Sequence, residues 1–157
     1  MDELTISRAN KSEESLLTNL LNHYVYDMSE WFKFDPDPNG FFSYDLPCLD
    51  SEIQHVYIAR YKNSPAGLAI VNQDEAHLDM KEFFILRRYR GGDTAQQFFE
   101  LILQQHPGHW QVRVFAQNKP AVPFWKRAIT NLTHADYTES QLLIDGQPWI
   151  HYHFDYL

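Results

Sequence analysis

A single cysteine, Cys48, stands in a chain of 157 residues, so no disulfide can form within it and a reducing, cytoplasmic setting is expected. Long apolar runs are missing too: no segment is long enough to span a bilayer. The opening "MDELTISRAN" is polar and acidic, without the apolar stretch of a signal peptide, so none is expected. Basic residues are in deficit. Thirteen Lys and Arg face 21 Asp and Glu, a net charge of -8, which argues against a broad nucleic-acid-binding face. The acidic balance suits a cationic substrate as well as plain solubility. Neither G-x-x-x-x-G-K-[ST] nor G-x-G-x-x-G occurs, which sets aside the P-loop and the dinucleotide fingerprint. There is no internal repeat and no low-complexity tract.

What remains is one domain's worth of chain, residues 1–157, with 44% hydrophobic residues. "ELTISRA" alternates as a first strand, with Leu4 and Ile6 on one face. Ser12 offers an N-cap, and Leu17, Leu20, Leu21, Tyr24 and Met28 recur at helical spacing, so a helix is expected to about Trp31. Prolines 36, 38 and 47 with Asn39-Gly40 break "FDPDPNGFFSYDLPCLD" into a long irregular segment. "HVYIARY" and "AGLAIVN" flank "KNSP" as a hairpin, and "HLDMKEFFIL" follows as a strand. Ala95, Phe98, Phe99 and Ile102 mark a second helix, "HWQVRVFAQN" a strand, and "KPAVPFWKRAI" a short helix with an internal proline. "SQLLIDGQPWIHYHFDYL" closes as a hairpin turning at Asp145-Gly146. The order β-α-loop-β-β-β-α-β-α-β-β predicts a mixed α/β sheet, mostly antiparallel, with helices on both faces.

One stretch asks for an explanation. "RRYRGGDTAQQFFELI" crowds Arg87, Arg88 and Arg90 before two of the chain's six glycines and then opens a helix. A strand feeding a helix through glycines presents free N–H groups and a positive dipole end, which suit a phosphate, and the arginines could add charge-assisted bonds there. The alternative reading is a solvated basic patch beside a tight turn.

The element order and "RGGDTA" resemble the GNAT superfamily of acetyl-coenzyme A-dependent N-acetyltransferases, which carry R/Q-x-x-G-x-G/A at this place. Arg90, Gly91, Gly92, Thr94 and Ala95 fit; Asp93 stands where the family has glycine. A second family pattern, N-x-x-A-x-x-F/L-Y-x-K/R, is matched by "NKPAVPFWKR" through Asn118, Ala121, Phe124 and Arg127, with Trp125 where tyrosine is usual. The resemblance implies a single-domain fold of that type, acetyl-coenzyme A as cosubstrate, no metal, and a pyrophosphate held at the glycine corner. It implies pantetheine pairing with the strand backbone around Phe84, Ile85 and Leu86, which needs a gap between the fourth and fifth strands. The Asp93 carboxylate either repels the pyrophosphate or turns outward to cap the helix, the reading favoured by its N-cap preference.

Acetyl transfer to an amine needs a proton acceptor, and Glu82 resembles the position of the family's glutamate base; its alternative is an outward-facing strand carboxylate. Asp79 is a weaker candidate. Trp125 offers an indole N–H but no proton to a departing thiolate. Either the thiolate leaves unaided, or a tyrosine among Tyr24, Tyr26 and Tyr137 serves. The acceptor pocket implied by the resemblance is built from the first helix and the long loop, with Tyr24, Asp27 and Trp31 as candidate contacts; the same aromatics equally suit a buried core. An amine acceptor, small or on a protein, is implied; no nucleic-acid or membrane partner is expected, and a homodimer is compatible with the family. Asp93 and Trp125 keep a second reading open, a GNAT-fold module that binds acyl-coenzyme A without efficient turnover. His151 with His153, and His106 with His109, lack the third ligand a zinc site needs.

Overall fold

The computed structural model describes residues 3–157; Met1 and Asp2 of the N-terminal segment lie outside the described residues. Seven strands, β1 (Leu4–Arg8), β2 (Gln54–Tyr61), β3 (Ser64–Gln73), β4 (Leu78–Ile85), β5 (Gly108–Phe115), β6 (Thr138–Ile144) and β7 (Gln147–Tyr156), form one sheet in the order β1-β2-β3-β4-β5-β7-β6. Every neighbouring pair is antiparallel except β4 and β5. Three helices, α1 (Glu14–Phe32), α2 (Thr94–Gln105) and α3 (Ala121–Thr133), complete the layers. Among the described residues no helix is long and apolar enough to cross a membrane.

Each face of the sheet has its own core. Leu17, Leu20 and Leu21 of α1 pack on Val56, Ile58, Leu68, Ile70 and Phe84. On the opposite face Phe98, Phe99 and Ile102 of α2, with Ala128 and Ile129 of α3, cover Met80, Ile85, Trp110 and Val112. Burial of each large apolar side chain contributes about 1.5–3 kcal/mol. The helical spacing in the sequence and the i, i+2 spacing in the strands therefore meet on two fronts, as a sheet covered on both sides requires.

Three local details differ from expectation. The cap before α1 is Asn10, not Ser12: extended Asn10 accepts from the Ser12 N–H at 3.0 Å while Glu13 reaches back to the Asn10 N–H at 3.3 Å. A 3-10 turn (Lys11–Glu13) separates this capping box from the helix, placing the cap two residues earlier. The β2–β3 turn is tighter than "KNSP". Lys62 and Asn63 both have positive φ, 48° and 69°, the two-residue geometry that matches strand twist, so Ser64 and Pro65 already belong to β3. The third helix is not short: Pro123 falls in its first turn, where a missing N–H costs no helical bond, so α3 runs for 13 residues.

Candidate active site

β4 and β5 pair only at Leu78–Trp110 and Asp79–Gln111, and beyond that point they part. Arg113 Nη2 bonds Asp79 Oδ2 at 2.6 Å across the base of the fork. Between the diverging strands lies a cavity of about 560 Å³, lined from β4 by Met80 to Phe83 and from β5 by Val112 to Phe115. Tyr24, Val25, Met28 and Phe32 of α1 and Phe34, Asp35, Phe42, Ser43 and Tyr44 of the irregular segment line it, as do Asn118, Ala121 and Trp125.

Glu82 reaches this cavity because β4 carries a bulge. Met80 faces Val71 and Glu82 faces Ile70, adjacent residues of β3, so Lys81 is the extra residue. Strict alternation from Leu78 and Met80 would turn position 82 into the α2–α3 core. The bulge slips the phase by one: Phe83 and Ile85 take the core side, and Glu82 faces the α1 side with Phe84. The spacing of apolar residues, 78, 80, then 83 and 85, carries this slip in the sequence, a signal that helical and strand periodicity read separately had missed.

The Glu82 carboxyl sits above its ordinary pKa, chiefly because burial disfavours the charged form; the neighbouring Tyr24 hydroxyl pulls the other way. Burial, then Glu82, pushes Tyr24 far above the usual phenol range, and Tyr44 is pushed up to about 12 by the same two causes. Both phenols therefore stay protonated and act as donors. Tyr24 is anchored in turn by its ring on Phe84, centroids 5.5 Å apart.

At the end of β4 the glycine corner opens α2. Gly91 has φ 89°, a conformation that favours glycine, and no atom lies within 4 Å of where a Cβ would stand on Gly91 or Gly92. The α2 ladder begins with the Gln97 N–H to the Asp93 carbonyl, so the amides of Thr94, Ala95 and Gln96 precede it. Asp93 occupies the N-cap position and is exposed, but its side chain makes no capping bond, unlike the expected outward cap.

The arginines are disposed otherwise than anticipated. Arg87 Nη2 and Arg90 Nη2 hold the two oxygens of Asp27 at 2.8 and 2.9 Å, and Arg90 Nε donates to the Ile85 carbonyl at 2.8 Å. Arg88 lies over the Tyr89 ring. The anion that offsets the crowded guanidiniums is thus a carboxylate of α1, and Asp27, expected at the acceptor pocket, is committed to them; neither it nor Trp31 lines the cavity. Of the other expected residues, Tyr24, Glu82, Asn118 and Trp125 converge on the cavity. Asn118 Oδ1 also accepts from the Ala121 N–H at 3.3 Å, starting α3. Phe124 and Trp125 pack edge to face at 5.1 Å, and Trp125 is buried against Phe83 and Phe99. Phe84, Ile85 and Leu86 turn their side chains away, leaving backbone toward the fork. Phe115 and Trp149 line the cavity unannounced, since they come from strands whose alternation reads as ordinary core. Among the described residues no three His, Cys, Asp or Glu side chains converge as a metal cluster would require.

Solved structures match this architecture over almost its full length. A spermidine N-acetyltransferase from Vibrio cholerae in complex with CoA and spermine superposes with a TM-score of 0.69 at 13% identity, covering 98% of this chain and 96% of its own. A GNAT family acetyltransferase from Elizabethkingia anophelis with acetyl-CoA bound gives 0.62 at 8% identity, over 99% of both chains. The chain has the GNAT acetyltransferase fold. A ribosomal L7/L12 alpha-N-protein acetyltransferase shares this GNAT fold with a TM-score of 0.65 at 11% identity, over 99% of this chain and 95% of that one. No protein-family model and no curated sequence matches the chain.

Proposed function

We propose that this chain, as a single GNAT-fold domain over residues 1–157, transfers acetyl from acetyl-coenzyme A to an amine by direct attack. The observation that carries this reading is the fork between β4 and β5, with a half-buried carboxylate lining its cavity and an open glycine corner at the end of β4. Neighbours of the same fold bind CoA or acetyl-CoA, and the corner suits such a ligand: the amides of Thr94 to Gln96 are outside the helix ladder, and nothing crowds Gly91 or Gly92. Asn118 and Trp125 would flank it from α3, and the backbone of Phe84 to Leu86 from β4.

Coenzyme A supplies an acyl group on a thiol of pKa near that of cysteine, a leaving group that needs little protonation. Glu82, its pKa raised by burial, takes a proton from the acceptor's ammonium group. The freed nitrogen pair forms the new C–N bond, the C–S bond breaks with its electrons on sulfur, and the second proton that the nitrogen sheds to become a neutral amide passes through solvent to the thiolate. Trp125 is buried and has no acidic proton, so it shapes the cavity and does not act as the acid. The Tyr24 hydroxyl beside Glu82 favours its charged, proton-accepting form.

Isothermal titration of acetyl-coenzyme A, followed by a thiol-release assay over an amine panel, tests the reading. Binding with turnover is expected. Binding without turnover in any amine favours the acyl-coenzyme A-binding module, and no binding refutes both.

A further inference from the structure

We propose that the acceptor is a primary monoamine carried on an aromatic body, with its nitrogen at Glu82 and its ring against a four-ring wall of Phe32, Phe34, Phe115 and Trp149. This rests on the acetyl-transfer reading and adds the class of acceptor to it.

The wall is built from three parts of the chain. Lys33, with φ 55°, stops α1, so Phe34 folds back parallel to Phe32, centroids 5.7 Å apart and planes 17° apart. Phe115, at the end of β5, and Trp149, near the start of β7, are directly paired in register and lie 5.3 Å apart. Phe32 closes the group, 4.6 Å from Phe115 and 6.1 Å from Trp149. All four rings line the cavity, and Phe34 remains 48% exposed. Large rings left facing a cavity, instead of being filled over, are the feature of a pocket for an apolar or aromatic group.

Charge narrows the class further. The ionisable carboxylates and cations lining the cavity are Glu82 and Asp35 against Lys81 and Arg113, so the lining carries no net negative charge. Arg113 is held by Asp79, and Asp35 lies on the exposed segment, which leaves Glu82 as the carboxylate set inside. One buried carboxylate matches one ammonium. A polyamine would bring further ammonium groups for which the cavity offers no second inward carboxylate. Tyr24 and Tyr44 line the cavity together with Glu82, and the four rings offer the rest of the acceptor an apolar surface.

The test compares 2-phenylethylamine, n-propylamine and spermidine with the full-length protein at saturating acetyl-coenzyme A, with calorimetric titration of acetyl-coenzyme A in parallel. Burying a phenyl-sized group predicts kcat/KM about 10- to 150-fold higher for 2-phenylethylamine than for n-propylamine. Spermidine should be no better than n-propylamine. Phe34→Ala should raise KM for 2-phenylethylamine several-fold more than KM for n-propylamine. Trp149→Leu should do the same from the opposite side of the wall. Equal or better turnover of spermidine, or an equal loss for all amines in Phe34→Ala, overturns the acceptor class while leaving acetyl transfer standing. Intact acetyl-coenzyme A binding with no thiol released by any of the three overturns the acceptor class and the transfer reading together, and failure to bind acetyl-coenzyme A overturns the reading at its root.

Discussion

Replacing Tyr24 by Phe removes one oxygen and keeps the ring that packs on Phe84, so the core contact of α1 survives and only the hydroxyl beside Glu82 is lost. That hydroxyl favours the charged carboxylate, and its removal must raise the Glu82 pKa beyond the elevation that burial already imposes. A hydrogen bond to a charged group is worth about 1.5–3 kcal/mol, and one pKa unit corresponds to about 1.4 kcal/mol, which gives a shift of about one to two units. A general base works only when deprotonated, so activity is present above the Glu82 pKa and lost as pH falls through it. In Tyr24→Phe the acid limb of kcat/KM should therefore move to higher pH by about one to two units, with the rate at about pH 9 close to that of the parent. Glu82→Gln should abolish the limb and lower the plateau rate above it about 10²- to 10⁴-fold. A limb that stays in place, or moves down, in Tyr24→Phe refutes the assignment of Glu82 as the titrating base. A uniform loss without any pH shift would place the tyrosine in another role.

Three further perturbations address the corner and the fold. Asp27→Asn removes the charge that two guanidiniums share and should destabilise by about 2 kcal/mol, a fall in Tm of about 4–8 °C, whereas Arg87→Ala, on a side chain 73% exposed, should cost well under 1 kcal/mol; equal melting of all three proteins contradicts the pairing. Asp93→Asn should tighten acetyl-coenzyme A about 2- to 5-fold and leave pantetheine unchanged, because a carboxylate about 8 Å from a doubly charged diphosphate contributes about 1 kcal/mol before salt screening; calorimetry finding unchanged or weaker binding removes the repulsion. His106, which meets the Tyr57 hydroxyl at 2.7 Å, is lowered to about 4 by burial and then by His55. Its stabilising effect is present above the unfolded value near 6.5 and is lost as pH falls from there towards 4, about 1–2 kcal/mol after allowing for solvent screening. His106→Gln should lose less Tm than the parent between about pH 7 and pH 4.5, and an identical fall in both would dismiss the effect.

The order of elements was legible because each apolar period, near 3.6 along Leu17 to Met28 and 2 along Trp110 to Val114, reports local geometry and needs no knowledge of neighbours. What local pattern cannot report is pairing between distant parts of the chain. Asp27 and Arg90 are 63 residues apart, so the cluster looked like an anion site awaiting a ligand when a carboxylate of α1 already answers it. The parting of β4 and β5 is a property of two strands together and leaves no mark on either. Glu82 was picked out by resemblance, yet its direction depends on the Lys81 bulge. Trp149 and Phe115 escaped notice because each alternates like any buried strand residue, and their shared exposure to one cavity exists only in the folded chain.

A sheet that splits internally has two inner margins as well as its two outer rims. Rims are where proteins stick to one another, since backbone donors and acceptors there accept any passing strand. The margins along β4 and β5 are recessed behind α1 and the irregular segment, which a foreign strand would have to displace in order to pair there. A slim, extended molecule carrying its own amides meets no such obstacle. The same recess that would leave polar backbone unmatched therefore acts as a sieve by girth, admitting thin ligands and turning away chains that would otherwise nucleate aggregation.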